Sequence, residues 1–302
     1  MKRRLMLTAL LVLTLTLSVF PTPANSDPAT RYVAPSSMGG DDTNPGTEGS
    51  PWRTIQHAVS NSNSGDIIKL MDDDNDGTKD YPEIYQVEVT KQLTIERYDD
   101  DATKPWVYQQ VHYDHVFYIS ADHVTISGLK LAGATEPSQA GIYVGHSAYC
   151  TFNDNDVTDN YYGIYLYSSD HCNINDNNVS YNNSTEGAGD SQGIRLYKSS
   201  ENTISGNTVN YNGHNGIELT GTSSEPSTNN TLNNNTVNNN GSMGIVLSGG
   251  SSSPNNTINN NTANSNDYDG IYIAYGSDNS NVINNTTSYN GRYGIGISVV
   301  TP

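Results

Sequence analysis

Short segments of alternating apolar and polar residues return along the second half of the chain. In each of them a glycine is followed by an isoleucine, and another apolar residue stands two places further on. These glycines are Gly141, Gly163, Gly193, Gly216, Gly244, Gly270 and Gly294, spaced 22 to 30 residues apart. A repeat of this length predicts a solenoid, in which each repeat forms one rung and buries its apolar side against its neighbours.

Three sets of apolar residues keep a fixed phase within the repeats, as expected for strands with one buried face. The set around the Gly-Ile step comprises Ile142, Val144, Ile164, Leu166, Ile194, Leu196, Ile217, Leu219, Ile245, Leu247, Ile271, Ile273, Ile295 and Ile297. The second comprises Phe152, Ile174, Ile204, Leu232, Ile258 and Ile283, and the third Val157, Val179, Val209, Val237 and Ala263. We therefore predict an all-β fold, a single parallel β-helix of about nine or ten rungs with three short strands per rung.

Asparagines recur in phase with these apolar sets. They are Asn155, Asn177, Asn207, Asn235, Asn261 and Asn285, each followed five residues later by Asn160, Asn182, Asn212, Asn240, Asn266 or Asn290. Asparagine tolerates the left-handed conformation of tight corners, and stacked amides can form a hydrogen-bonded ladder. The alternative is Asn-rich low complexity without structure. The apolar residues at fixed phase around every asparagine favour the ladder.

The N-terminal 26 residues have the composition of an export signal. Lys2, Arg3 and Arg4 precede an apolar run over 5–20, and small residues at 24–26 offer a cleavage site. An uncleaved membrane anchor is the alternative, although the run is short for a span. No later segment is long and apolar enough to cross a membrane. We predict an export signal over 1–26 and a β-helix domain over 27–302, placed outside the cell, at its surface or in the periplasm.

A short helix is predicted over about 51–60, ahead of the first strands. Ser50 can serve as its N-cap, Pro51 occupies the first helical position, and Ile55, Ala58 and Val59 share one face. Such a helix can cover the first rung of a solenoid, with the repeats following over about 111–302. No comparable cover is visible after the last strand pattern. The sequence therefore leaves open self-association or a further C-terminal domain at that end.

Two segments resemble known families. From Tyr32 to Ile95, the order of glycine-aspartate, Pro-Trp, helix and strand segments resembles the N-terminal part of pectate-lyase-like proteins. The segment 116–129 resembles the first rung of NosD-type surface repeats. Together the resemblance covers about 32–302 and implies a right-handed parallel β-helix. Such motifs specify the fold well and the function poorly.

The charge of the chain limits its partners. The formal net charge is −18, and it is −21 without residues 1–26, which hold three basic and no acidic residues. Nucleic acid and anionic lipid surfaces would be repelled. Cations and neutral or weakly charged polymers fit better, which favours a polysaccharide or a cell-surface glycan as partner.

An acidic loop matches the spacing of a calcium-binding loop. Its oxygen donors are Asp72, Asp74, Asp76, Thr78, Asp80 and Glu83, with Gly77 at the turn. The loop resembles that of EF-hand proteins, but the flanking sequences indicate strands rather than helices. We expect a calcium ion that stabilises the fold. The alternative is an acidic surface turn without metal.

The two cysteines are one repeat apart. Cys150 and Cys172 each lie nine residues after a Gly-Ile glycine, so they are expected to stack in adjacent rungs. Parallel neighbours lie within the Cα distance that a disulfide tolerates. A disulfide and a pair of buried free thiols both remain open.

The outward positions of the Gly-Ile strand suggest a sugar-binding face. They include Tyr143, Tyr165, Tyr167, Arg195, Tyr197 and Glu218, with Lys198 beside them. Aromatic rings interspersed with charged groups suit carbohydrate, and the leading hypothesis is an exported structural or carbohydrate-interaction protein without catalysis. The resemblance to polysaccharide lyases implies an alternative, in which Arg195 or Lys198 abstracts a proton from a uronate polymer with calcium assistance. A simpler alternative is an exposed Arg195–Glu218 ion pair beside stacked tyrosines.

Overall fold

The computed structural model describes residues 27–73, 79–99, 103–183, 190–248 and 253–298, and they form a parallel β-helix. Three parallel sheets run along the molecule, holding ten, nine and five strands in the described residues. The predicted fold is confirmed. No helix among the described residues is long and apolar enough to cross a membrane.

Each sheet takes one strand from successive rungs. The first sheet comprises Thr30–Val33, Ile67–Leu70, Thr94–Arg97, Thr125–Ser127, Thr151–Asn153, Asn173–Asn175, Thr203–Ser205, Thr231–Asn233, Thr257–Asn259 and Asn281–Ile283. The second comprises Val87–Val89, Phe117–Ile119, Ala140–Gly145, Tyr162–Tyr167, Ile194–Tyr197, Ile217–Thr220, Ile245–Leu247, Ile271–Ile273 and Ile295–Ile297. The third comprises Tyr81–Glu83, Trp106–Gln109, Lys130–Ala132, Asp156–Val157 and Asn178–Val179, and single bridges between threonines continue it.

The N-terminal helix begins later than its sequence suggests. It spans Ile55–Asn61, and its N-cap is Thr54, whose side chain accepts from the His57 N–H. Ser50 and Pro51 lie outside it because Trp52 forms a parallel bridge with Val33, which keeps this part of the chain extended. A 3-10 turn, Ser36–Met38, precedes the helix. The predicted buried face is confirmed, because Ile55, Ala58 and Val59 are all buried.

The predicted apolar columns form the core except at their last members. Residues around the Gly-Ile steps are buried from Ile142 to Ile271, as are the members of the second and third columns up to Ile258 and Ala263. In the last strand of the first sheet, Ile258 pairs with Val282, so Val282 takes the inward position and the prediction of Ile283 was wrong. Ile283 is 48% exposed. The last described strand of the second sheet is also exposed, because only one neighbouring strand covers it.

The asparagine ladders are present, but the corner conformation falls elsewhere. The Asn207 side-chain oxygen accepts from the Asn177 backbone N–H at 2.9 Å and from its side-chain amide at 3.0 Å. The same arrangement repeats along both predicted columns. The left-handed conformation belongs to the residue before each ladder asparagine, such as Asp176 or Asn234, and not to the ladder residue as predicted. A third ladder, absent from the predictions, runs through Asn202, Asn230 and Asn256.

Candidate functional site

The outward residues of the second sheet meet on one face. Tyr143 pairs with Tyr165, Tyr165 with Arg195, and Arg195 with Glu218, each in the same register position of successive strands. Two residues further along these strands, Tyr167 pairs with Tyr197 on the same side of the sheet. The structure therefore brings together all six residues that the sequence suggested for substrate binding. We call this surface the tyrosine-arginine face.

The tyrosines of this face are not stacked flat along the axis. The Tyr143 and Tyr165 rings are perpendicular, with centroids 5.3 Å apart, and Tyr162 packs edge-on to Tyr165 at 5.1 Å. At a different corner, Tyr181 and Tyr211 stack in parallel at 5.0 Å and direct their faces at each other. His115 and Tyr118 stack in parallel on the Tyr143 ring at 4.4 and 5.3 Å, so Tyr143 is held within the face while Tyr165 meets its tyrosine neighbours only edge to face. The rings of Tyr143 and Tyr165 are half-buried and packed edge to face, whereas Tyr181 and Tyr211 are 57% and 48% exposed and stacked in parallel.

Arg195 lies at the centre of the face and is held by Tyr162. Its guanidinium donates to the Tyr162 hydroxyl at 2.7 Å, and its carbon lies 5.3 Å from the Tyr162 ring and 5.4 Å from the Tyr165 ring. The Arg195 Nε is 3.9 Å from Glu218 Oε2, within ion-pair range but too far for a hydrogen bond. The ion pair that the sequence left open is therefore present. Because this distance is too long for a hydrogen bond, the Arg195 Nε–H has no hydrogen-bond acceptor.

Three further residues complete the site, and sequence reasoning missed them. Gln192 donates from its amide nitrogen to Glu218 Oε2 at 2.8 Å, while Tyr162 anchors Arg195. His214 lies one rung on, where its backbone N–H donates to the Ser191 carbonyl at 3.0 Å. Tyr162 and Gln192 directly precede Gly163 and Gly193. That position before the glycine is the signal that could have identified them.

Burial and hydrogen bonding shift the pKa values of the charged groups at this site. It raises the pKa of Glu218, an effect that Arg195 opposes and Asp190 reinforces. Burial also lowers the pKa of His214. The hydrogen bond to Glu225, 2.7 Å long, raises the pKa of Lys198. The site therefore holds a protonated Arg195 and a protonated Lys198, which suits hydrogen-bond donation better than proton abstraction.

Part of the acidic loop converges in the described residues. Asp72, Asp73 and Asp80 can each direct a carboxylate oxygen to within 4.8 Å of the others. Burial, together with Asp72 and Asp73, raises the pKa of Asp80 to about 6, and its Oδ1 is buried without a hydrogen-bond partner. These oxygens fit a hard cation such as calcium, because a cation would relieve their mutual repulsion. Asp73 was not among the predicted ligands.

Among the described residues, the predicted calcium ligand Glu83 does not join this group. Glu83 accepts from the Ile55 backbone N–H at the start of the helix, and burial and Asp42 raise its pKa to about 7. It lines a cleft of about 280 Å³ that Asp73, Asp80 and Arg53 also border. Asp74, Asp76 and Thr78 lie outside the described residues.

The two cysteines stack in adjacent rungs as expected from their spacing. Both are buried free thiols in the structure, and a hydrogen bond between them lowers the pKa of Cys150. The disulfide between Cys150 and Cys172 stays a prediction. Intact mass before and after reduction tests it, because a bridged chain is lighter by two hydrogens.

The chain matches the family model of the right-handed beta helix region over residues 114–287. This match covers more than half of the chain, and the chain belongs to that family. The right-handed parallel β-helix implied by the sequence resemblance is therefore confirmed. A comparison with curated proteins gave no match.

Several solved structures share the fold. Pectate lyase Pel9A aligns with a TM-score of 0.62 and 14% identity, over 92% of this chain and 80% of its own. The polygalacturonase from Erwinia carotovora ssp. carotovora aligns with a TM-score of 0.59 and 11% identity, over 94% and 83% of the two chains. The Dettilon tailspike protein aligns with a TM-score of 0.57 and 19% identity over 89% of this chain, which spans 61% of the tailspike. At these identities the likeness establishes the fold alone.

Proposed function

We propose that this protein is exported and binds a polysaccharide or cell-surface glycan along the tyrosine-arginine face. The observation that carries the proposal is the column Tyr143, Tyr165, Arg195 and Glu218, in register on successive strands. Regular rungs offer equivalent positions at a constant step, which suits a polymer of repeating units. The carbohydrate-related names of several β-helix neighbours are compatible with this role. Export is supported by the composition of residues 1–26, which lie outside the described part.

Binding without cleavage is the form of the proposal that the contacts favour. A lyase base must lose its proton to act, whereas Arg195 donates to Tyr162 and Lys198 is paired with Glu225. Both contacts favour the charged forms. Calcium-dependent β-elimination on a uronate polymer is the competing activity, and it requires one of these two groups to be deprotonated.

The test is retention of the purified chain on immobilised neutral and uronate polysaccharides, with calcium present. Ultraviolet absorbance of unsaturated uronate products is recorded in parallel. We expect retention on at least one polymer without growing absorbance. Tyr165→Ala should weaken retention about three- to tenfold, because an aromatic contact contributes about 0.5–1.5 kcal/mol.

Tyr211→Ala is the matched control, because Tyr211 is 48% exposed and stacks on Tyr181 at another corner. Its retention should equal that of the unmodified chain. Absorbance that grows, and is lost in Arg195→Ala, would establish the lyase instead. If the chain shows no retention and no growing absorbance with any polymer, both functions are contradicted.

A further inference from the structure

We infer that the tyrosine-arginine face contains a subsite for a neutral, hydroxyl-bearing sugar residue rather than for a uronate. The subsite is formed by Gln192, Arg195, His214 and Glu218. This inference rests on the proposed function, since it names the class of sugar that the same face would bind.

The subsite holds three buried polar atoms without hydrogen-bond partners. They are Gln192 Oε1, Arg195 Nε and His214 Nδ1. Gln192 is only 2% exposed, so bulk water does not compensate its oxygen. Nearly all buried polar atoms in native proteins are partnered, and each orphan costs about 1–3 kcal/mol. The Gln192 and Arg195 orphans meet at Glu218, with His214 one rung on, and this indicates a place where a ligand supplies the missing partners.

The orphaned atoms need both a donor and an acceptor. Gln192 Oε1 requires a hydrogen-bond donor, whereas the Arg195 Nε–H requires an acceptor. Both groups adjoin Glu218 Oε2, which is 2.8 Å from Gln192 Nε2 and 3.9 Å from Arg195 Nε. A hydroxyl group donates and accepts, so neighbouring hydroxyls of one sugar ring can satisfy both residues. A uronate carries hydroxyls as well, but its ionised carboxylate only accepts and cannot be the partner of Gln192 Oε1, so selection against uronates rests on the charge of the subsite.

The charge of the subsite also disfavours a uronate. Arg195 is the cation of the subsite, and it already faces the carboxylate of Glu218. Lys198, the neighbouring cation, is 2.7 Å from Glu225. A uronate would add a second carboxylate beside Glu218 without a new cation, and such juxtaposed like charges oppose binding.

The rim of the subsite is open to solvent, and the orphaned atoms beneath it become accessible to a sugar when the Arg195 side chain moves outward. The Arg195 and Glu218 side chains keep 22% and 13% of their surface exposed, so they form the accessible rim above the buried Gln192. The half-buried ring of Tyr165 adjoins Arg195 and offers apolar surface to the C–H face of a sugar, whereas the Tyr162 ring is buried beneath Arg195.

The experiment compares the affinity of the purified chain for galactan and glucomannan with that for polygalacturonate and alginate, near neutral pH. We expect at least about tenfold tighter binding to a neutral polymer than to either uronate polymer. Gln192→Leu should lower the neutral affinity about tenfold, because one ligand hydrogen bond is lost. Glu218→Gln should raise the affinity for the uronate polymers, because it removes the repelling carboxylate.

Asn215→Leu is the matched control for Gln192→Leu. Asn215 holds the same position before the glycine one rung on, but its oxygen already accepts from the Met243 N–H at 3.2 Å. Neutral affinity should be retained in this variant, and melting curves check that each variant folds. If Gln192→Leu fails to fold, the Glu218→Gln comparison decides.

Three results would overturn the inference while leaving the proposed function intact. The first is tighter binding to a uronate polymer by the unmodified chain, and the second is Glu218→Gln without any gain in uronate affinity. Loss of neutral affinity in Asn215→Leu, equal to that in Gln192→Leu, would also overturn it. An absence of binding to all four polymers would instead contradict the proposed function itself.

Discussion

The asparagine ladders and the tyrosine-arginine face both bury polar side chains, but they differ in how these are partnered. Along the ladders, an amide oxygen such as that of Asn207 accepts from the rung before, and an amide nitrogen such as that of Asn177 donates both to the next rung and to a backbone carbonyl of the rung before. No ladder amide is among the orphaned buried atoms of the described residues, whereas Gln192 and Arg195 are. Buried polar groups that are fully partnered specify and stabilise a fold, and those left unpartnered cost stability. The comparison therefore separates residues that hold the solenoid together from residues available to a ligand.

The largest effect should come from breaking a ladder. Asn207→Ala removes the acceptor of the Asn177 N–H and amide and the donor to the Ile174 carbonyl at 2.8 Å. With at least two buried groups left unpartnered, the free energy of unfolding should fall by about 3 kcal/mol or more, as measured by urea unfolding.

Asn234→Gly is the control for the ladder variant. Asn234 is exposed and has a φ of 57°, and the equivalent residue of the preceding rung is Gly206. Glycine adopts this conformation without strain, so stability should change little. Equal losses in the two variants would show that the asparagines act through corner geometry and not through the ladder.

A second prediction concerns the edge of the outward face, where a largely buried histidine accepts a backbone hydrogen bond. His115 Nδ1 accepts from the Ala140 N–H at 3.0 Å, and its ring stacks on Tyr143 at 4.4 Å. Burial lowers the pKa of His115 from 6.5 to about 4. As pH falls, His115 therefore takes up a proton in the unfolded chain at a higher pH than in the folded chain. The folded state loses stability between about pH 6.5 and pH 4, and this stability is fully present above pH 6.5. The loss attributable to His115 should be about 3 kcal/mol.

The measurement is the melting temperature across that pH window for His115→Asn, whose oxygen can still accept from Ala140. This variant should show a flatter pH dependence than the unmodified chain. His123→Asn, at an exposed histidine with a φ of 58°, should leave the pH dependence unchanged. An equally steep profile in His115→Asn would contradict a buried, neutral His115.

The sequence predicted the ladders more completely than the outward site, for a physical reason. Ladder and core positions repeat at a fixed phase because each must meet its equivalent on the next rung. Ile283 was misplaced because Val282 stands next to it, and only strand pairing decides between them. Gln192 and His214 follow no repeated residue type. The position before the Gly-Ile glycine marks Gln192, but only the folded register shows that its side chain meets Glu218. The helix start similarly depended on a tertiary contact, the Val33–Trp52 bridge.

The smallest predicted effect concerns Asp80, another residue with an orphaned buried oxygen. If calcium binds to Asp72, Asp73 and Asp80, adding it at tenfold excess over the Kd should stabilise the fold by about 1.4 kcal/mol, and chelation should reverse this.

Asp80→Asn should abolish the calcium response. In the absence of calcium it should raise the melting temperature near neutral pH, because burial and two neighbouring carboxylates make ionised Asp80 unfavourable. Asp267→Asn, at an exposed aspartate far along the chain, should preserve the calcium response. A melting temperature that ignores both calcium and chelator would mean that the Asp80 oxygen is orphaned for a reason other than metal binding.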